Sequence, residues 1–298
     1  MRLPKTHWVE TEMYGLIGNP LRKSLSAAMH NANFASIGMN AAYMPFETEE
    51  EGMKKILPAL EALRFKGLNV TMPLKQKIIP LLDELDEAGA LCGAINTLYW
   101  KKGRLRGTNT DGVGFVRGLK EQGNYDPAGK PCLMFGAGGA ARGVAFALCE
   151  AGVGSITLFG RASGVERIRK LASDLNAYKT GICAPFTDPA QLPGLFGPND
   201  LVVNTTSVGM LPNVDETPFD TSLLESRHMV CDVVYVPHDT KLLKEAEATG
   251  CGTLPGYWMM IWQGVEAFLR WTQEREPTIT PDVDTMTKAV LDYLNEGA

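Results

Sequence analysis

Three clusters in this chain have residue types and spacings suited to chemistry. The first is Gly136-Ala137-Gly138-Gly139-Ala140-Ala141, which follows the apolar run Cys132 to Phe135 and precedes a helical stretch, Val144 to Glu150. Strand, tight turn and helix in that order, with the spacing Gly136-x-Gly138-x-x-Ala141, match the dinucleotide-binding fingerprint. Gly136 permits the sharp turn, Gly138 keeps no side chain between a pyrophosphate and the backbone, and Ala141 lets the helix pack on the strand. The helix N-terminus offers free N–H groups and partial positive charge to phosphates. The second cluster is a set of polar residues at strand ends: Asn69-Val-Thr71-Met-Pro-Leu-Lys75, Gly93-Ala-Ile-Asn96-Thr97 and Thr108-Asn-Thr110-Asp111-Gly112, with Ser24 and Ser26 just after the first strand. Each alone reads as a cap or a turn. Together they suit a hydroxylated ligand, whose groups need partners once desolvated. The third is Arg161. Where the strand after such a turn usually ends in an acid that holds a ribose 2′-OH, Ser155 to Phe159 runs instead into Gly160-Arg161-Ala162-Ser163. A guanidinium matches a 2′-phosphate, with Arg167 as a second candidate cation, so the reading favours NADP over NAD.

The elements that must position these residues follow from hydrophobic periodicity and turn signals. Strands are expected at 14–18, 41–45 and 67–71, and helices from Ser24 or Ser26 to about Ile37, over 53–63, over 75–82 and over 86–91. A hairpin joins 94–100 to 104–108 around Lys102-Gly103. A linking helix covers 112–122. Strand and helix then alternate: 131–135, 140–151, 155–159, 164–176, 181–184, 200–204, 229–235, 239–249 and 251–254, with loops after 184 and 204. Helices close the chain at 258–274 and 282–294. The expected class is α/β with two domains: an N-terminal α/β substrate domain, and a Rossmann-type doubly wound parallel sheet. The expected boundaries are 1–116 plus 258–298 for the substrate domain and 117–257 for the dinucleotide-binding domain. Ligands of such sheets bind beyond the carboxyl ends of the strands, so a cleft between the two is the expected site.

Composition is that of a chain with a proper core: 298 residues, 45% hydrophobic and 21% charged. The net charge of −5 comes without any basic block, which speaks against nucleic-acid binding. Six scattered cysteines without a C-x-x-C pair predict buried, reduced thiols and a cytoplasmic protein. The stretch Met1 to Met13 lacks the apolar segment of a secretory signal, and no run is long enough to span a bilayer. His7, His30, His228 and His238 show no ligand spacing, so no metal is expected.

Over nearly its whole length the chain resembles the shikimate dehydrogenase family. The resemblance is carried by Gly18-Asn-Pro-Leu-Arg-Lys-Ser24-Leu-Ser26, Asn69-Val-Thr71-Met-Pro-Leu-Lys75, Gly93-Ala-Ile-Asn96-Thr-Leu, Asn109-Thr-Asp111-Gly, Gly136-Ala-Gly-Gly-Ala, Asn204-Thr-Thr-Ser-Val-Gly209, Asp232-Val-Val-Tyr235 and Trp262-Gln263-Gly. The Ser24–Ser26 region and the tail from Gly256 resemble the quinate/shikimate branch in particular. The resemblance implies that Ser24 and Ser26 bind a substrate carboxylate with Tyr235 nearby, and that Thr71, Asn96, Asp111 and Gln263 hold ring hydroxyls. It implies that Lys75 transfers the proton, paired with Asp111, and that Val233 and Gly256 meet the nicotinamide through their backbone. A lysine serves as a base near neutral pH when burial lowers its pKa and a carboxylate holds it in place. The implied activity interconverts shikimate and 3-dehydroshikimate with NADP(H), quinate being an open second substrate, in a monomer or homodimer. The alternatives are an NAD-preferring quinate dehydrogenase and an aminoshikimate-type enzyme. A catalytically idle nucleotide sensor is disfavoured because Lys75, Asn96, Asp111 and Gln263 are all kept. Three positions depart from the family pattern: Lys23 replaces the usual His, Ala27 the usual Pro, and Ser163 stands where NAD-using quinate-branch members carry an acid.

Overall fold

Alternating strand and helix signals resolve into two six-stranded sheets in the computed structural model, which describes residues 9–21 and 24–296. His7 and Lys23 lie outside the described residues. The chain divides into two units, one ending at Thr110 and resuming at Gly264, the other spanning Asp111–Gln263.

The first unit runs β1 (Glu12–Gly18), α1 (Leu25–Ser36), β2 (Ala41–Glu47), α2 (Glu50–Ala62), β3 (Gly67–Val70), β4 (Glu84–Leu85), α3 (Glu87–Cys92), β5 (Thr97–Lys101) and β6 (Arg104–Thr108). Its sheet has the order β2-β1-β3-β5-β6-β4 and is mixed: β2, β1 and β3 are parallel, and β5 is antiparallel to both neighbours. The β5–β6 hairpin turns through Lys102 and Gly103, both at positive φ (52° and 75°), as a two-residue turn matched to strand twist requires. Ser24 caps α1. The helix expected over 75–82 does not form. After the bond from Ile78 N to Leu74 O, the chain tightens to i→i−3 bonds and a 3₁₀ turn at Ile79–Leu81, because Pro80 has no N–H to give to Gln76.

The second unit runs α4 (Asp111–Glu121), β7 (Pro131–Phe135), α5 (Gly139–Glu150), β8 (Ser155–Phe159), α6 (Val165–Tyr178), β9 (Cys183–Phe186), α7 (Leu192–Phe196), β10 (Leu201–Asn204), β11 (Met229–Asp232), α8 (Lys241–Ala248) and β12 (Gly252–Leu254), then enters α9 (Gly256–Thr272). Its sheet, β12-β11-β10-β7-β8-β9, is parallel throughout. Strands such as β7 and β10 read as unbroken apolar runs because helices cover both faces. The strand expected over 229–235 stops at Asp232, whose carboxylate takes the N–H of Val234 out of the ladder. The short α7 falls where a loop was expected. Residues 111–116 and 258–263, expected with the first unit, fall in the second: α4 is one helix from Asp111 and packs along α5.

The remainder of α9 and α10 (Val283–Asn295) return to the first unit. There Ala267, Phe268 and Trp271 join Tyr14, Phe34 and Tyr43 in one buried cluster, and Trp271 Nε1 donates to Leu98 O at 3.0 Å. His30 lies fully buried within it, its ring 4.8 Å from Tyr43 and 5.0 Å from Trp271. Neither ring nitrogen has a hydrogen-bond partner among the described residues.

Burial alone pushes the His30 imidazole down to about 3. The unfolded chain therefore binds a proton below the ordinary histidine range while the native chain does not, and stability falls as pH drops from about 6.5 toward 3. Urea titrations across that range should show the stability difference between the wild type and His30→Leu growing with pH by up to about 1.4 kcal/mol per unit, then flattening above about 7. A pH-independent difference would show that the site is not a neutral buried histidine.

Candidate active site

In the first unit, polar side chains at the strand ends form a continuous buried frame. Tyr43 Oη donates to Asn69 Oδ1 at 2.8 Å, with the Ser26 side chain close beside the phenol. Asn69 Nδ2 donates to Asn96 O and Thr97 Oγ1, both at 3.1 Å. Asn96 in turn holds Thr110, accepting its N–H at 2.8 Å and donating Nδ2 to its hydroxyl at 3.0 Å. Asn69, Asn96, Thr97 and Thr110 are all buried. Buried amides and hydroxyls need such partners, so the frame is rigid and its geometry specific.

Around this frame stand the expected substrate residues of the unit. Ser24 accepts the N–H of Ala27 at 3.3 Å, a role that uses an oxygen lone pair and not the hydroxyl proton. Thr71, directly after β3, donates its N–H to Ile17 O at 2.9 Å. Lys75 is half-buried; its carbonyl accepts the N–H of Ile95 at 2.7 Å, which seats it one residue from Asn96. Leu74 and Ile78, both fully buried, anchor the segment on either side. Ser26, Thr71, Lys75 and Asn96 thus share one sheet end.

In the second unit, Gly136 has φ +107°, and a Cβ there would lie 2.8 Å from Thr205 Oγ1. Only glycine fits both constraints. The turn lies against β10's exit: Thr205 N and Oγ1 both donate to Phe135 O. Gly138 is the exposed N-cap residue of α5, and a Cβ on it would meet nothing within 4 Å. Ala137, Gly139 and Ala140 complete a turn whose free N–H groups and open space suit a pyrophosphate. Arg161 is exposed one strand over, at the end of β8, and no ion pair among the described residues includes it.

Asp111 and Gln263 also belong to this unit. Asp111 is the buried first residue of α4, and Gln263 lies half-buried on α9 with Nε2 donating to Met260 O at 2.8 Å. The two helices are joined by Trp262, which donates to Gln122 Oε1 at 2.7 Å and carries the Arg117 guanidinium over its ring at 3.8 Å. Val233 is half-buried and Tyr235 exposed, both just past β11, while Gly256 opens α9 against the same segment.

Two groups escaped sequence reasoning as site-builders. Tyr43 reads as an apolar strand residue, and only its hydroxyl's partners reveal its place in the frame. Asp232 sat in a recognised segment but without a role. It is buried and accepts from Asn204 Nδ2 (2.9 Å), Val234 N (3.0 Å) and Thr240 Oγ1 (2.8 Å). Burial pushes its carboxyl up to about 6, against the pull of those donors.

Residues 16–98 match the model of the shikimate dehydrogenase substrate binding domain. A shikimate dehydrogenase (NADP(+)) from Moorella thermoacetica is 43% identical over 275 residues, covering 91% of this chain and 92% of that protein. The chain belongs to the shikimate dehydrogenase family. Among solved structures, shikimate 5-dehydrogenase from Listeria monocytogenes, in complex with shikimate and NAD, aligns with a TM-score of 0.89 at 36% identity over 96% of this chain and 98% of that one. Quinate dehydrogenase from Corynebacterium glutamicum, in complex with NAD, aligns at 0.86 and 36% identity over 95% and 99%. The two-domain α/β architecture expected from the sequence is the architecture of this family.

Gly136→Ala adds a Cβ against Thr205 at a backbone angle that L-residues avoid. It should lower the unfolding free energy by about 2 kcal/mol in a denaturant titration. An unchanged midpoint would mean that the turn accommodates a side chain.

Proposed function

We propose that this chain is an NADP-dependent shikimate dehydrogenase, reversibly converting shikimate to 3-dehydroshikimate. The observation that carries the reading is the pairing of two built features: a rigid amide and hydroxyl frame beside Lys75 in one unit, and an open glycine turn at a helix N-terminus in the other. Similarity over 92% of the length of an NADP(+)-named relative supports it.

Ser24 and Ser26 receive the substrate carboxylate, with Tyr235 near it. Thr71, Asn96, Asp111 and Gln263 pair with ring hydroxyls, which fixes the carbinol carbon that reacts. Residues 136–140 hold the pyrophosphate, Arg161 the 2′-phosphate, and the backbone at Val233 and Gly256 the nicotinamide. Bound NADP supplies the hydride acceptor or donor. Lys75 as the neutral amine takes the hydroxyl proton as the alcohol becomes a ketone, and as the ammonium it returns that proton in the reverse direction, with Asp111 as its carboxylate partner. The protein acts on small molecules as a monomer or homodimer. A cytoplasmic setting is supported by six cysteines that are all buried and unbridged. No described helix is long and apolar enough to cross a membrane.

Initial rates with shikimate or quinate against NADP⁺ or NAD⁺ test the reading. The expected optimum is shikimate with NADP⁺. A quinate–NAD⁺ optimum would transfer the chain to the activity named for the Corynebacterium relative. Lys75→Ala should lower kcat by about 10²- to 10⁴-fold while leaving NADPH binding intact; near-normal turnover would remove Lys75 from the proton transfer. Arg161→Ala should raise KM for NADP⁺ by about 10-fold or more with little change for NAD⁺, since a charge-assisted hydrogen bond to the phosphate is lost.

A further inference from the structure

We propose that Asp232 is a positioning residue for hydride transfer, a single buried carboxylate that sets the backbone segments facing the nicotinamide. This rests on the reading above, in which Val233 and Gly256 border that ring.

The geometry converges on one side chain. Asp232 Oδ1 accepts from Asn204 Nδ2, which ties the end of β11 to the end of β10, and from Val234 N, which turns the chain out of the sheet. Asp232 Oδ2 accepts from Thr240 Oγ1. Thr240 is itself fully buried and caps α8 by accepting the N–H of Leu243, so the carboxylate holds both ends of the 233–240 connection. Asn204 passes the constraint on: its Oδ1 accepts the N–H of Thr206 (3.0 Å) and the Thr206 hydroxyl (2.7 Å), and Thr206 Oγ1 accepts the N–H of Val208 (3.1 Å). The loop after β10 is therefore set by the other end of the Asn204 amide that Asp232 holds. The start of α9 is set as well. A Cβ at Gly256 would lie 2.7 Å from Asp232 O and from Val233 C, and 2.5 Å from Val234 O, so the helix begins in direct contact with this backbone.

A carboxylate is a costly choice here. It is 2% exposed, its three partners are neutral donors, and burial raises its pKa. A neutral side chain could end a strand without that penalty, but it could not accept from three converging donors at once. The return on the penalty is a fixed geometry: the loop after β10 and the turn after β11 are tied through this carboxylate, and the first turn of α9 packs directly on its backbone. Hydride transfer depends steeply on the placement of the donor and acceptor carbons, and a displacement of about 1 Å can cost about 10²-fold.

The test compares wild type with Asp232→Ala, Asp232→Asn, Thr240→Val and Thr240→Ser. Four quantities are read: kcat, KM for shikimate, affinity for 2′,5′-ADP (which carries the adenosine half and no nicotinamide), and the isotope effect with shikimate deuterated at the reacting carbon. The nicotinamide fluorescence of bound NADPH is recorded in parallel and needs no substrate. We expect Asp232→Ala to lower kcat by about 10- to 100-fold and to raise the isotope effect, with 2′,5′-ADP affinity and KM for shikimate within about twofold of wild type, as expected when only reacting-atom placement is lost. Asp232→Asn and Thr240→Val should give smaller changes in the same direction, Thr240→Ser should restore wild-type values, and bound-NADPH emission should shift in step with kcat. Unchanged kcat, isotope effect and emission would overturn the proposal. So would a loss of 2′,5′-ADP affinity in proportion to kcat, which marks a general structural role. If Asp232→Ala does not fold, the Asn and Val variants decide by the same criteria. Wild-type protein that oxidises neither shikimate nor quinate would refute the substrate reading, and the emission of bound NADPH would still decide the role of Asp232.

Discussion

A strand buried on both faces can leave its sheet only where its last polar groups find partners, and that requirement organises both halves of this molecule. In the second unit the sheet is parallel and covered by helices, so the ends of β7, β10 and β11 cannot turn to water for their hydrogen bonds. Thr205 satisfies the end of β7, Asn204 the loop after β10, and Asp232 the turn after β11. In the first unit Asn69, Asn96, Thr97 and Thr110 do the same at the ends of β3, β5 and β6. The side chains that close the strands also bring polar atoms to the carboxyl ends of the sheets, where ligands of such folds bind.

The two frames differ in their electrostatics. The frame of the first unit is built from neutral amides, hydroxyls and a phenol, groups that can both donate and accept, and it leads from Tyr43 through Asn69 and Asn96 to Thr110. Such a chain orders hydroxyls without introducing charge into a buried sheet end. The frame of the second unit is centred on one carboxylate that only accepts, which gathers donors from three separate segments. His30 shows the opposite economy. It is buried among aromatic rings without a hydrogen-bond partner among the described residues, and it is held neutral by burial alone.

Family membership accounts for the architecture and the reaction class, and the structure supplies the physical reasons for the motif residues. The glycine at 136 answers to a positive φ and to Thr205 packed against it. The segment Asn204-Thr-Thr-Ser-Val-Gly209 is held by the amide of its first residue, and Asp232-Val-Val-Tyr235 by the carboxylate of its first. These are backbone-setting roles, and they explain why short polar segments recur at strand ends in this chain without each side chain having to touch a ligand.

Much of this was legible in the residues themselves. Local rules suffice for β7, the Gly136 turn and α5, and for the β5–β6 hairpin at Lys102-Gly103, because each depends on neighbours within a few positions; they left the cap of α1 open between Ser24 and Ser26, and the structure places it at Ser24. The same rules failed at 75–82, where helical periodicity met a proline without the N–H a helix needs, and at 233–235, where a side chain withdrew Val234 from the ladder. What tertiary structure alone decided is the set of partners brought together from far along the chain: Tyr43 with Asn69, Asp232 with Asn204 and Thr240, and Asp111 and Gln263 joined through α4 and α9. The reason is physical. Propensity and pattern are properties of a segment, whereas the satisfaction of a buried polar group depends on whichever atoms folding places within about 3 Å of it.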